Sequence, residues 1–435
     1  MNGRRISALL ACGLMLVALT MAGLLFQLED NLDCFLIVAA LQSAVYAMAV
    51  WLCWAGGASR GVVLAIGALA IVMQAPTVVA PPYLSNDIYR YVWDGQVEAA
   101  GFNPYLYAPS DPELEALRDH DIYPQIASKY APTIYPPAAE GLFLVVTRIS
   151  GSVTAMKLTM VIFEAITFVL LALLLALEGL PTSRVLVYAW HPLLIWEFAG
   201  SGHIDAPLIA FCIAAFWAAR RQRDGLCGLF LAGATLTKLY PVVFLPALYR
   251  RWDWRLPVAF GVAMVVGYSP FVSARLRILG FLPGYASQEG LDAQGAGFYL
   301  LDLLHRLPGL AALDAKVYVF AAIAILGALS LVFIFRRNRA PPPYGMTVTL
   351  ATLFMVLISP HYPWYFAWLI VFACFVRSFA LLWLTNACLL LYLLTDYVFL
   401  PSAKQLVIQS IIYGPFAALA IVDFQHYRGR QALRS

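Results

Sequence analysis

"SNDIYRYVWDGQVEAAGFNPY", residues 85–105, sets four charges, Asp87, Arg90, Asp94 and Glu98, between segments whose composition suits lipid. A helix from Asn86 to Ala100 would put those four on one stripe, with Ile88, Tyr89, Val92, Trp93 and Ala99 on another. Gly101 and the Asn103-Pro104 pair end it. Such a helix is expected to rest on a membrane surface, aromatics down and carboxylates up. Its charges either merely meet water or include a base above a lipid-accessible cleft. Asp87 is the candidate base, because it starts the helix where a span emerges.

The surrounding composition makes this an all-α polytopic membrane protein. Of 435 residues, 62% are hydrophobic and 12% charged, and the mean hydropathy is +0.78. A soluble domain carries about 25% charge. The net charge of +4 is mild, and Lys and Arg cluster at span ends, a topology signal with no footprint for nucleic acid. Seven cysteines, without a C-x-x-C pair, lie in or beside apolar runs and read as small buried hydrophobes. The first apolar run is too long for a secretory signal core and reads as a retained span.

Hydropathy marks spans near 6–26, 34–54, 61–80, 153–178, 205–219, 256–272, 314–335, 379–400 and 406–423. Basic clusters at Arg4/Arg5, Arg60, Arg184, 220–223, 250–255, 336–339, Arg377 and 426–430 should face the cytoplasm. Keeping them all inside forces "PPAAEGLFLVVTRIS" (136–150) to be an interfacial or re-entrant helix. It also forces 226–250 to go out and return as two short helices bending near Lys238 and Pro241. The expected layout is one integral-membrane domain over 1–435 with about 14 transmembrane helices (12–14) and both termini cytoplasmic. Within it fall a large external loop at 81–152, a core at 153–272 and C-terminal helices at 273–435.

This threading sends the unusual polar residues to the external side, and ionisable groups at membrane level are costly and usually retained for a task. "TIYPP" brings Tyr135, either in a plain turn or as an aromatic wall for a sugar ring. "GHIDA" brings His203 and Asp205; these fit local hydrogen bonding and an N-cap, or a site. Two ligands are too few for a convincing metal centre. Lys238 sits at a bent tip, either snorkelling to headgroups or offering a point charge to a phosphate. "SPHYPWYFAW" (359–368) holds His361 and Tyr362 in what is either an interfacial girdle or part of the same site. Arg275 and Arg277 lie on the external side against the charge rule, which suggests a local anion. No phosphate-cradling glycine loop, dinucleotide fingerprint or G-x-S-x-G is present. The implied chemistry is transfer of a group already activated on a lipid phosphate. A carboxylate would deprotonate an acceptor hydroxyl while cations stabilise the departing phosphate.

"SNDIYRYVWDGQVEAAGFNPY", "TIYPP", "GHIDA", "TKLYPVVFLP" and "SPHYPWYFAW", in that order over Ser85 to Trp368, resemble the GT-C superfamily of integral-membrane glycosyltransferases. The similarity is closest to bacterial polyprenol-phosphate-mannose-dependent α-mannosyltransferases. The resemblance implies a first catalytic loop with membrane-parallel helices, whose acidic residue acts as base at the position of Asp87. It also implies inversion of a β-linked lipid-phosphate sugar, often without metal. Many relatives carry paired acids where this chain has Asn86-Asp87.

The expectation is therefore a glycosyltransferase of the inner or plasma membrane, moving mannose from a polyprenyl-phosphate donor to a lipid-linked or envelope glycan acceptor. Asp87 is the base, Asp94, His203 and Asp205 orient acceptor or sugar, and Lys238, His361 and Arg275 hold the lipid phosphate. Arg90, Tyr135 and Tyr362 are further substrate-binding candidates. No cofactor or metal is called for, with a divalent cation left open. The rival class is a transporter or lipid flippase whose Asp, His and Lys bind cargo.

Overall fold

The computed structural model describes residues 3–54, 59–287, 297–336, 344–397 and 403–432, and among them every regular element is helical. The basic residues at 337–339 and the side chains of 426–430 lie outside the described residues. The chain opens with three long apolar helices: α1 (Gly3–Leu28), α2 (Leu32–Trp54) and α3 (Arg60–Val79). At 1.5 Å per residue each covers about 30 Å or more, enough to cross a hydrocarbon core. Lipid offers little hydrophobic drive between helices, so small residues and buried hydrogen bonds do the joining. Gly13 and Gly23 of α1 let two indoles approach: a Cβ there would lie 2.8 Å from Trp190 and 2.8 Å from Trp196. Trp196 Nε1 donates to Gln42 Oε1 at 2.8 Å, and Gln42 donates to Thr20 at 3.0 Å. Tyr46 donates to the Val187 carbonyl at 2.7 Å. These contacts clamp residues 187–196 against the N-terminal spans.

Between α3 and the next long helix lie α4 (Asp87–Ala99) and α5 (Pro137–Ile149). At 13 residues, about 20 Å, α5 is too short for a full crossing. The charged stripe of α4 forms as the sequence implies, but its setting differs. The helix does not lie with its carboxylates in water; Asp94 is buried together with Tyr91, Val92 and Trp93. The reason is α5. Gly95 faces the Phe143 carbonyl so closely that a Cβ would stand 2.4 Å from it, and Tyr91 stacks on Phe143 at 4.6 Å. A segment with apolar groups on both faces buries both once a second helix is available.

α6 (Val153–Leu177) is long and continuous. After it the chain breaks repeatedly: short helical turns at Leu186–Ala189 and Pro192–Leu194, a π-helical turn at Ile195–Gly200, then α7 (Asp205–Arg220). The stretches Pro192–Gly200 and Asp205–Arg220 meet at 119°. α8 (Asp224–Thr237) ends at Lys238, whose backbone is extended (φ −147°, ψ 145°), before a 3₁₀ turn at Tyr240–Phe244. The bend expected near Lys238 is thus present. α9 (Arg255–Tyr268) runs into a 3₁₀ stretch at Ser269–Leu279, and then follow α10 (Ala315–Arg336), α11 (Tyr344–Ile358), α12 (Phe379–Ala387) and α13 (Ala403–Ala432).

By length and composition, seven helical stretches among the described residues can cross a membrane, or eight if the bent pair counts as one span. Shorter apolar helices, such as Asp224–Thr237 and Tyr344–Ile358, fall below that length. Hydropathy counts apolar residues, whereas helix continuity is cut by proline, glycine and buried polar groups. One apolar core joins residues from Leu9 to Tyr413.

Candidate active site

Three separate stretches deliver side chains to one place. The first is the start of α4. Asp87 occupies the first helical position, and its carboxylate is 35% accessible. The second is the break before α7. Gly202 has φ +77°, a left-handed conformation that suits glycine, and a Cβ there would lie 2.2 Å from Ile88 Cδ1. That turn brings His203 under Asp87, with Nδ1 at 3.9 Å from Asp87 Oδ2. The third is the extended link after α8, which carries Lys238.

Asp205 does not cap its helix. The residue before α7 is Ile204, and no side-chain cap bond forms there. Its carboxylate instead accepts from Lys238 Nζ at 2.7 Å and from the Tyr240 hydroxyl at 2.6 Å. Asp205 is fully buried and Lys238 only 12% accessible. The ammonium also sits 4.8 Å from the centroid of Tyr365, whose hydroxyl meets that of Tyr285 at 2.8 Å. Lys238 is therefore an oriented cation with donors to spare, since one of its three is committed to Asp205.

Burial pushes the Asp87 carboxyl above its ordinary range. Although a third of its surface is open, the surrounding protein removes enough solvent to disfavour the anion. Lys238 and Arg90 pull in the other direction, and Asp205 adds to the rise. The Lys238 charge is thus felt at Asp87, which ties the first stretch to the third.

His203 is wholly buried and lies under an aromatic stack. Its ring faces Trp364 at 4.0 Å, and Trp364 stacks on Tyr362 at 4.5 Å. Tyr362 therefore joins the site through Trp364. Tyr135 packs edge-on to Tyr91 at 5.1 Å, and its phenol is pushed up by burial and then by the charge of Asp87.

The other sequence candidates make contacts of their own. Arg90 donates from Nε to both oxygens of Asp94, at 2.7 and 2.9 Å, and from Nη1 to the Ala131 carbonyl at 3.0 Å. This is a buried brace between α4 and the 131–135 strap. Glu140 joins its edge, bonded to Thr133 at 2.5 Å, and burial raises the carboxyls of Asp94 and Glu140. Arg275 is exposed in the 3₁₀ stretch after α9, with a left-handed φ of 48°. His361 acts electrostatically on Asp302 of the Tyr299–Leu304 turn. Among the described residues no group of three or more His, Cys, Asp or Glu is arranged for a metal ion.

Four residues that sequence reading passed over complete the arrangement: Tyr240, Trp364, Glu197 and Tyr392. Glu197 is fully buried, 3.3 Å from His203 Nε2, and accepts from the Tyr392 hydroxyl at 2.5 Å. The signal for Glu197 was its lone charge in "HPLLIWEFAG" (191–200). The aromatic partners have no such mark.

Chemically, the site offers a carboxylate with an open oxygen, an oriented ammonium and an aromatic wall. A family model described as alpha-(1->6)-mannopyranosyltransferase, N-terminal domain, matches residues 7–253. That stretch includes Asp87, His203, Asp205 and Lys238 but stops short of Tyr362 and Trp364. No curated protein and no solved structure matches the chain. The match covers more than half of the 435 residues, and the protein belongs to the MptA_B family, whose shared module is the alpha-(1->6)-mannopyranosyltransferase N-terminal domain.

Proposed function

We propose that this protein transfers mannose from a polyprenyl-phosphate donor to a lipid-linked or envelope glycan, at the external membrane face and with inversion. The reading is supported most by one observation: Asp87 and Lys238, which lie far apart in sequence, meet across His203 and Asp205. In the proposed step Asp87 takes the proton of an acceptor hydroxyl. That oxygen forms a bond to the anomeric carbon on the face opposite the phosphate. The bond from that carbon to the phosphate oxygen breaks, and the lipid phosphate leaves with the electron pair. Lys238 stabilises the leaving charge through its uncommitted donors, held in aim by Asp205 and Tyr240. A carboxyl raised by burial suits a general base better than one at the ordinary value.

Tyr362, backed by the buried Trp364, forms the wall against which the apolar face of a sugar stacks. The Arg90–Asp94 pair fixes α4, and with it Asp87. Lys238 supplies the cation, so the step is proposed to need no metal, and a chelator should leave the rate unchanged. In this reading lipid tails enter sideways beside the short helices that flank Lys238, with the 81–152 stretch on the external side.

The test is transfer from radiolabelled polyprenyl-phosphate mannose by purified protein in vesicles. Asp87→Asn should abolish transfer while leaving the protein folded. Retained transfer removes Asp87 from the role. Label that crosses the bilayer without changing its chemical attachment would point to a flippase.

A further inference from the structure

Glu197 is a buried carboxylate for which the proposed transfer step has no use. It lies in the π-helical turn, a local irregularity that often marks functional positions. The groups facing it are Tyr392 and Cys388 from the 388–397 stretch, together with His203, Asp205, Asp87 and Lys238. With Asp87 and Asp205 ionised against Lys238, the cluster already carries an excess of negative charge. A third carboxylate anion without a cation of its own is disfavoured in such a place. A neutral acid removes that third charge. Tyr392 donates to Oε1 at 2.5 Å, while Oε2 stands 3.3 Å from His203 Nε2 without a hydrogen bond between them, so that an acid hydrogen on Oε2 would face Nε2. The imidazole's own hydrogen then stands on Nδ1, facing Asp87 Oδ2 at 3.9 Å.

We infer that Glu197 is a positioning residue that acts through His203, as a carboxylic acid that fixes the imidazole with its Nδ1–H aimed at Asp87. Only the Tyr392–Glu197 link is a hydrogen bond in this structure; with the other two closed, the chain Tyr392, Glu197, His203, Asp87 runs one way. It ends on one oxygen of Asp87 and leaves the other for the acceptor hydroxyl. Trp364 stacked on the imidazole and the left-handed turn at Gly202 keep the ring from rotating away. At 3.9 Å from Asp87 Oδ2, Nδ1 makes no hydrogen bond in this structure, and the inference requires that gap to close when substrate binds. No covalent bond changes in this chain; the proton removed from the acceptor ends on Asp87. The inference rests on Asp87 being the base.

Three variants test it. Glu197→Met fills the volume but donates nothing. Its kcat should fall about tenfold with the donor KM unchanged, because a hydrogen bond to a charged group is lost. The limb on which activity rises with pH should move up by about one unit, because Asp87 loses a donor that favours its anion. Glu197→Gln can accept from Tyr392 and donate to Nε2, and it should recover most of what Glu197→Met loses. Tyr392→Phe should move the same limb by less, and it serves if Glu197→Met fails to fold. An unmoved limb in Glu197→Met, or in Tyr392→Phe if that must stand in, overturns the inference and leaves Glu197 a packing residue. A Glu197→Gln variant as impaired as Glu197→Met also overturns it, because the carboxylate would then act as an anion. Asp87→Asn separates the two levels. If that variant is inactive and the Glu197→Met limb has not moved, only the present inference fails; if it is active, the base assignment fails first.

Discussion

Asp205→Asn tests whether Lys238 is held as a poised cation. The wild-type carboxylate is fully buried and accepts from Lys238 Nζ at 2.7 Å and from the Tyr240 hydroxyl at 2.6 Å. Asparagine keeps the volume but replaces one acceptor with an amide NH₂ and strands the ammonium. Breaking one side of a buried pair costs about 3–5 kcal/mol. The lower end applies, because Lys238 keeps its contact over the Tyr365 ring at 4.8 Å and its field already reaches Asp87. At about 3 kcal/mol, the half-life in detergent at a fixed temperature should shorten by up to about a hundredfold, read by loss of tryptophan fluorescence. Adding Lys238→Met removes the stranded charge and should restore most of that half-life, with transfer still absent. Polyprenyl phosphate should protect the single variant more than the wild type, because it offers the unpaired ammonium an anion. A single-variant half-life within about twofold of wild type would refute the reasoning. So would a double variant no longer-lived than the single one.

Gly202→Ala forces a left-handed backbone on alanine and drives its Cβ to 2.2 Å from Ile88 Cδ1. It should cost about 2 kcal/mol and lower transfer by shifting the start of α4, seen as a lowered unfolding temperature together with a fall in kcat. Arg90→Met leaves Asp94 buried beside Glu98 and Glu140 with no cation, and it should cost about 3–5 kcal/mol in the same assay. Glu98 is half-buried, and burial, followed by the charge of Asp94, raises its carboxyl to about 7. The folded state therefore holds a proton that the unfolded chain releases near the ordinary Glu value. The Glu98 contribution should fall as pH rises from that value through about 7, and Glu98→Gln should flatten this part of the stability–pH curve.

The sequence made the local breaks legible and left the convergences hidden. Asp87 at the head of an amphipathic helix follows from charge spacing within a dozen residues, while the short helix after Pro136 and the bend at Lys238 follow from keeping the basic clusters of the whole chain on one side. The burial of α4 did not follow, because it depends on the fit of Gly95 against Phe143 of another helix. The hydropathy pattern looks the same whether the polar stripe meets water or a neighbour. Asp205 looked like a cap because caps are local; its real partners lie 33 and 35 residues away. Trp364 and Tyr392 come from stretches more than 150 residues beyond His203, and only the folded chain brings them there. Glu197 did carry a local mark, a single acid in an apolar span, although it was passed over.

The proposed mechanism puts Asp87 and Lys238 on either side of the reacting bond. Its most direct test is a structure of the protein bound to a non-transferable phosphonate analogue of polyprenyl-phosphate mannose. The phosphonate should lie within hydrogen-bond reach of Lys238 Nζ and the anomeric carbon on the side of Asp87, with the sugar ring against Tyr362. An analogue bound with its phosphonate away from Lys238, or with Asp87 facing no part of the sugar, would contradict it.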